Sequence, residues 1–506
     1  MIPSIAHTFT AMLPALGTTR VIGLPARSWV TVAVLLIVVV HLGLRVYMVP
    51  QYRTELGGVE HNSVHAIQKL LLDLPLYQDP EQLPFDVIQY TPAYFVLCAG
   101  VGKIIGITGE DARSVFLLSR VIGLTLTLLT CLVVYRICTE NGADIWSTAL
   151  ASGLVFCSYT EHFYSRPDAL QSFASITAVL YFTRWLRDPN WKILTACAGF
   201  AVLGFFAKQS GALMITIPAL YLLLHRNWKA FASYSVAILL FLGAGLAFIF
   251  LDTTPWIFWQ NTVQGLANGY STMMWGELFE PATYKYFIGW HILAVVLLVE
   301  GFRGNGSALR FFALAVPLAI AFGLLTGLKS GSRLNYLHEG LTLTFMGVAI
   351  LLGSGKPFRW KHFTGWAFAC YGLLFMAFRT KSTENWAHVD DPDAARMAEY
   401  QADLTVRDVL LNELDLKPNE HIFVTYRDYL DHLLVQQSVM KQHDIVKFSK
   451  DRLYDYAAFH TAMRDGTVRF VVTDHPERPV TFLDSTYTDW VPIRTVAGRT
   501  ILVHHE

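Results

Sequence analysis

Apolar residues dominate this chain in long runs, and the breaks between the runs are where its polar chemistry sits. The run Trp29–Val49 is long enough to cross a bilayer and reads as a retained first helix rather than a cleaved leader. Further apolar segments follow at 92–107, 114–135, 145–163, 169–186, 191–207, 212–224, 230–251, 284–299, 311–328, 341–352 and 363–378. Between the first two lies the stretch from Arg53 to Tyr94, with a short helical pattern in which Val64, Ile67, Leu70 and Leu71 form an apolar face. A Pro-broken loop and the exit Gln89-Tyr90-Thr91-Pro92 complete it.

Charge orients the segments. Arg20 with Arg27, Arg136, Arg184 with Arg187 and Lys192, Arg226 with Lys229, Arg303 with Arg310, and Lys356 with Arg359 and Lys361 form the basic clusters. All can face the cytoplasm only if one segment between Arg53 and Arg136 does not cross. Segment 92–107 is short and follows the loop directly, so it is expected to lie at the interface. About eleven crossings result, with the N-terminus inside and the tail outside. Twelve crossings would put Arg166, Asp168 and Lys208 in the cytoplasm and fit the charges less well. With eleven, loop 50–91, Tyr164–Asp168, Lys208–Ser210, Asp252–Thr283 and Lys329–Glu339 converge on one outer face.

From about Lys381 the pattern shortens to alternating strands and helices, as in a small α/β domain. Ala395–Leu414 reads as helix, His421–Tyr426 as strand, Tyr429–Met440 as helix and Asp444–Phe448 as strand. Leu453–Met463 reads as helix, Arg469–Asp474 as strand, and Trp490–Val496 with Thr500–His504 as a hairpin around Ala497-Gly498. The expected fold is therefore a polytopic α-helical membrane protein with about eleven crossings and interfacial helices, followed by a small extracytoplasmic α/β domain. Residues 1–380 form the membrane domain and 381–506 the soluble one.

Composition agrees: 53% of residues are hydrophobic, 15% charged, and mean hydropathy is +0.39, against about 25% charged in soluble domains. The formal net charge is zero, which gives nucleic acid no electrostatic footing as a partner. The six cysteines sit in apolar stretches without metal-ligand spacing and read as buried hydrophobes. The tail carries no phosphate-binding Gly loop.

Charges at the rim of a bilayer are costly and are kept for pairing or function. Glu60, beside Gly57 and Gly58, is the first candidate: a general base for an acceptor hydroxyl or amine, or a helix-start carboxylate satisfying the dipole. His61 and His65 share its helix four residues apart. That spacing could hold a divalent metal near Glu60, but a Glu that precedes both histidines is not the zinc-protease arrangement, and hydrogen-bonding interfacial histidines are the expected reading. No metal or other cofactor is assigned. Arg166 and Asp168 stand at a helix start, where they are either cap and rim charge or ligands of a phosphate and a sugar hydroxyl. Lys208, beside Gly211, joins two apolar segments on the outer face, as a snorkelling lysine or a phosphate ligand. Lys329, Arg333, Asn335 and Tyr336 form a third rim of two cations and hydrogen-bonding groups. Cations from several loops could stabilise a departing lipid phosphate. Arg113 and Arg120 are assigned to helix-end packing, Trp256, Phe258 and Trp259 to an interfacial belt, and Tyr270, Trp275 and Tyr284 to a sugar pocket.

In their order and topology, Glu60 with its helix, Tyr90-Thr91-Pro92, Arg166-Pro167-Asp168, Lys208 with Gly211, and Lys329 to Tyr336 resemble GT-C integral membrane glycosyltransferases. The branch is that of protein O-mannosyltransferases and lipid A aminoarabinose transferases, and the resemblance covers Trp29–Leu352. It implies transfer of one sugar from a polyprenyl-phosphate donor to a glycan, lipid or protein acceptor, usually with inversion, outside the cytoplasm. By resemblance, Glu60 matches the acid that activates the acceptor, Asp168 the acid at a later helix head, Lys208 the lysine that meets the donor phosphate, and Tyr336 a tyrosine of the last catalytic loop. His61, His65, Gln89, Tyr90 and Tyr270 are expected near the acceptor or pocket. Two departures stand out: Val59-Glu60 replaces the usual Asp-Glu, and Gln89 or Thr91 stands where some relatives place a lysine. The implied location is the inner (plasma) membrane of a bacterium, among membrane lipids. A transporter of a polyprenyl-linked glycan is the alternative; inverted repeats or midplane broken helices would favour it, and none is visible in the sequence.

Overall fold

A chain that enters lipid must pair its backbone groups within itself, and long apolar runs do so as helices. The computed structural model describes residues 16, 19–21, 24–54, 59–158, 164–267, 269–280, 284–304, 306–329, 334–355, 357–388, 393–426, 429–440, 453–482 and 485–505. After a short hairpin of β1 (Arg20–Val21) and β2 (Leu24–Pro25), the chain rises through α1 (Ala26–Met48). The first loop carries α2 (Val59–Leu71), and α3 (Ala93–Ile105) follows it. The bundle continues through α4 (Ala112–Glu140), α5 (Ile145–Ser158), α6 (Asp168–Arg187), α7 (Trp191–Ala207), α8 (Ala212–Leu224) and α9 (Trp228–Ile249). Short helices α10 (Pro255–Thr262) and α11 (Met273–Leu278) precede α12 (Ile288–Arg303), α13 (Ser307–Thr326), α14 (His338–Gly353) and α15 (Lys361–His388). Among the described residues, five helices are long and apolar enough to cross a membrane, with shorter apolar helices among them. The protein is an integral membrane protein. The 13 residues of α3 extend about 20 Å, short of a hydrocarbon core of about 30 Å, as do the 13 of α8.

The first helix shows how charge is placed. Leu35, Leu36, Val39 and Val40 of α1 are exposed, while His41 and Arg45 are buried, so the polar face points into the bundle. Arg45 Nη2 donates to the Phe156 carbonyl at 2.8 Å, and Arg379 Nη2 to that of Ser158 at 3.2 Å. Both guanidinium groups thereby satisfy carbonyls at the C-terminal end of α5, where a helix leaves acceptors unmatched.

The expected boundary at residue 380 falls inside α15. Beyond α15, α16 (Asp393–Asp408) leads to a five-stranded sheet of β3 (His421–Val424), β4 (Ser438–Val439), β5 (Val468–Thr473), β8 (Trp490–Val496) and β9 (Arg499–His504), in the order β4-β3-β5-β9-β8. β4, β3 and β5 run parallel; β9 is antiparallel to β5 and β8. Positive φ at Ala497 (49°) and Gly498 (79°) gives the tight reversal that the sequence predicts. A second hairpin, β6 (Val480–Phe482) with β7 (Ser485–Tyr487), was not expected. Helix α18 (Ala457–Arg464) covers the sheet, packing Phe459 and Met463 with Phe423 and Val471 in one core.

The predicted helix 429–440 is corrected. Only α17 (Leu430–Leu433) is helical, and Ser438–Val439 pair in parallel with β3. Leu430 to Val435 are all buried, so no amphipathic period holds a longer helix against a single face. The predicted strand 444–448 lies outside the described residues.

The soluble domain grips the first loop. Phe85 and Val87 are built into its core, the Phe85 ring meeting Phe459 edge-on at 5.5 Å. Met440 N donates to the Pro84 carbonyl at 2.9 Å.

Close approach fixes one glycine. A Cβ on Gly211 would stand 2.3 Å from the carbonyl carbon and oxygen of Gly204 in α7. Because the obstacle is backbone, Gly211→Ala should destabilise the protein by about 1–3 kcal/mol and shift the adjoining Lys208. A thermal unfolding midpoint in detergent equal to wild type would refute this.

Candidate active site

Three chain breaks meet at Asp168. It occupies the first turn of α6, where its carboxylate complements the helix dipole. Lys208 ends α7 in an extended conformation, φ −156° and ψ 139°, which throws its side chain across to α6. The Lys208 Nζ lies 2.7 Å from Asp168 Oδ1, with the two side chains only 9% and 8% exposed. Arg166 Nε stands 3.5 Å from Asp168 Oδ2, and Asn335 Nδ2 donates to Oδ1 at 3.4 Å. Two rings flank the ammonium, Tyr90 at 5.5 Å and Tyr336 at 5.7 Å to the centroid, within cation–π range. Burial is the largest single influence and would lower the Lys208 pKa, but the Asp168 carboxylate together with Tyr90 and Tyr336 raises it, and the balance holds it above the ordinary lysine value. The ammonium is therefore charged at neutral pH. Burial pushes the Tyr90 phenol up to about 12, against the pull of Lys208 and Arg166, so Tyr90 stays neutral. Glu339, at the head of α14, is an electrostatic neighbour of Lys208 and Asp168.

Beneath this centre lies a second ion pair. Arg120 Nε and Nη2 donate to Glu60 Oε1 and Oε2 at 2.7 and 3.0 Å, and neither side chain is exposed at all. Arg120 also donates to the carbonyls of Val49, Gln51 and Arg53 at 3.1, 2.6 and 2.6 Å. Glu60 in turn accepts from the Ser165 N–H and hydroxyl, both at 3.3 Å. The pair thus ties the end of α1, the head of α2 and the Ser165–Asp168 turn together. Arg120, read from sequence as helix-end packing, is the partner that holds Glu60. In this geometry Glu60 presents no face to solvent. It braces the turn that carries Arg166 and Asp168.

An apolar cavity of about 410 Å³ lies along α3 and at the end of α9, lined by Leu70, Tyr77, Val96, Ala99, Gly100 and Phe248 among others. The Tyr77 hydroxyl donates to the Tyr90 carbonyl at 2.8 Å, so one wall serves both the cavity and the cation. Lys103 and Asp252 are the charged residues on its lining.

No protein-family model matches the sequence, and no curated protein matches it. Solved structures do. ArnT from Cupriavidus metallidurans in the apo state superposes with a TM-score of 0.53 at 13% identity, covering 94% of this chain and 98% of that one. The oligosaccharyltransferase of Archaeoglobus fulgidus, apo, gives 0.53 at 10% identity over 89% of this chain and 70% of that one. The same archaeal enzyme, AglB, with an inhibitory peptide and a dolichol-phosphate gives 0.51 at 10% over the same shares. The chain has the GT-C fold.

Within this GT-C fold the remaining predicted residues disperse. His61 Nδ1 hydrogen-bonds His432 Nε2 of the soluble domain at 2.7 Å, the rings stacked at 5.0 Å. His432 Nδ1 meets Gln68 Oε1 at 2.8 Å, while Gln68 Nε2 donates to the Gly109 and His432 carbonyls at 2.7 and 2.8 Å. His65 Nε2 pairs with Asp86 at 3.0 Å, and Lys69 reaches the same carboxylate at 3.5 Å. The two histidines turn to different partners and do not converge on Glu60. Gln89 is buried, donating to the Gly265 carbonyl at 2.9 Å. Tyr270, 76% exposed, forms an isolated antiparallel bridge with Lys329. Arg333 lies outside the described residues, as do Gly57 and Gly58. Sequence reading missed Arg120 as a partner, placed Asn335 only as a hydrogen-bonding group of the third rim, and left Gln209 without a role of its own.

Proposed function

We propose that this chain transfers one sugar from a polyprenyl-phosphate donor to an acceptor on the extracytoplasmic side of the membrane. The observation that carries the reading is the buried Lys208 ammonium against Tyr90, whose carbonyl is held by Tyr77 from the lining of an apolar cavity. Such a pairing suits a ligand with an anionic head and a hydrocarbon tail. An ammonium has three N–H donors, and Asp168 engages one of them. The others, with Arg166, would meet the phosphate and stabilise its charge as it departs. The lysine that some relatives place at the loop exit would here be replaced by Lys208, arriving from α7. A cavity of about 410 Å³ is of ligand size, the usual range being roughly 300–1,000 Å³, and would take the first isoprene units. A sugar held by its phosphate on one side exposes its anomeric carbon to the acceptor on the other, which favours inversion. AglB with its bound dolichol-phosphate is a structural precedent for a lipid phosphate in this fold.

The test is transfer of labelled sugar from synthetic polyprenyl-phosphate sugars by the purified full chain, read as release of polyprenyl phosphate. Labelled lipid crossing a liposome bilayer without transfer would sink the reading in favour of a transporter. A groove variant separates the tail from the head. A Cβ on Gly100 meets nothing within 4 Å, and replacing a helical glycine does not harm the helix. Gly100→Trp should therefore raise KM about tenfold for a polyprenyl donor, the loss of roughly two buried methylenes, and leave a sugar phosphate with a methyl ester in place of the isoprene chain unaffected.

A further inference from the structure

Two carboxamides border the Lys208–Asp168 pair, and both are held in the same way. Asn335 is 8% exposed, and its Nδ2 donates to Asp168 Oδ1 at 3.4 Å. Gln209, next to Lys208 in the chain, donates through Nε2 to the carbonyls of Gln89 and Thr262 at 2.9 and 3.0 Å. In each case the nitrogen is committed to the protein, while Asn335 Oδ1 and Gln209 Oε1 are buried without a hydrogen-bond partner. Rotating either amide by half a turn would set its oxygen against a carboxylate or two carbonyl oxygens, so charge fixes which atom is left over. Buried acceptors are almost always matched, and an unmatched one raises the free energy of the unliganded site. A ligand that donates a hydrogen bond there relieves that cost. Lys208 and Arg166 both turn to Asp168, and neither makes a hydrogen bond to either oxygen.

We propose that Asn335 is a specificity-determining residue of the sugar site, its Oδ1 accepting a hydrogen bond from a hydroxyl of the donor sugar, with Gln209 Oε1 as a second acceptor. This rests on the transfer reading above and deepens it. Both oxygens accept and neither donates, so the sugar must supply O–H or N–H hydrogens at those positions. A sugar that is deoxygenated or O-methylated there is rejected, because it leaves a buried acceptor empty. Asp168, which anchors the Asn335 nitrogen, thereby sets the distance between the sugar-reading oxygen and Lys208.

The experiment uses the full-length protein and a panel of synthetic polyprenyl-phosphate hexoses and pentoses. The sugar used best is then remade as its monodeoxy and mono-O-methyl series. Wild type is expected to disfavour one monodeoxy donor by about 10²-fold or more in kcat/KM. Asn335→Leu should shrink that preference to a fewfold, chiefly by losing activity on the parent sugar, while inhibition by sugar-free polyprenyl phosphate stays unchanged. Gln209→Leu should relax a different ring position. If Asn335→Leu does not fold, the smaller Asn335→Ala carries the same comparison. An unaltered preference, or an equal loss on parent and deoxy donors alike, overturns the assignment and leaves Asn335 a support for Asp168. Wild type that uses no donor in the panel overturns the transfer reading itself, a result distinct from unaltered preference.

Discussion

Replacing Arg120 with methionine is expected to lower stability by about 3–5 kcal/mol, because it strands the Glu60 carboxylate in a site without solvent. Glu60→Gln should cost less, since an amide can still accept from the guanidinium while losing the charge. The double variant Glu60→Met, Arg120→Met should regain most of the loss, as apolar replacements of buried pairs often do. Thermal unfolding in detergent checks all three. The carbonyls of Val49, Gln51 and Arg53, which Arg120 also holds, set how much is not regained. This series decides what Glu60 does. Misplacing the Ser165–Asp168 turn by an ångström can cost about 10²-fold in rate, and removing a general base about 10²–10⁴-fold, so rate alone does not separate the roles. The pH profile does. With Glu60 as a brace, the double variant is slower but keeps the acidic limb of its rate profile. A folded double variant whose acidic limb has vanished would restore Glu60 as the base.

The membrane part of this architecture is written in apolar runs, and Trp191–Ala207 and Ala212–Leu224 are helices at the limits the runs set. Lys208 and Asp168 were legible because a charge at the end of an apolar helix needs a reason. What joins them was not. Glu60 and Arg120 are separated by 60 residues, and His61 and His432 by 371, and no periodicity encodes pairing over such spans. Arg120 lies within α4 rather than at its end, so one arginine in a long apolar helix read as packing. The turn at Leu434 escaped notice because α17 and β4 are buried on every side, which erases the period that distinguishes helix from strand. Val59 in place of an acid was visible. That Glu60 is held by Arg120 and Ser165 needed the third dimension.

Lys208→Met carries the largest expected effect on activity. If Lys208 meets the donor phosphate, its loss removes a preorganised cation from the leaving group and should lower kcat/KM by about 10²–10³-fold. The same substitution damages the fold, because the Asp168 side chain is 8% exposed and would lose its nearest cation, with Arg166 at 3.5 Å and Asn335 at 3.4 Å. A loss of activity in Lys208→Met alone is therefore ambiguous. Adding Asp168→Asn removes the stranded charge and should return the unfolding midpoint toward wild type while leaving transfer as low as before. Lys208→Arg should fall between, since a planar fork cannot sit between Tyr90 and Tyr336 as a compact ammonium does. Near-normal transfer by the stable Lys208→Met, Asp168→Asn protein would show that the pair serves packing alone. In that event the phosphate would have to find its cation elsewhere on the outer face, and the shared wall of Tyr77 and Tyr90 would lose its meaning as the junction of head and tail.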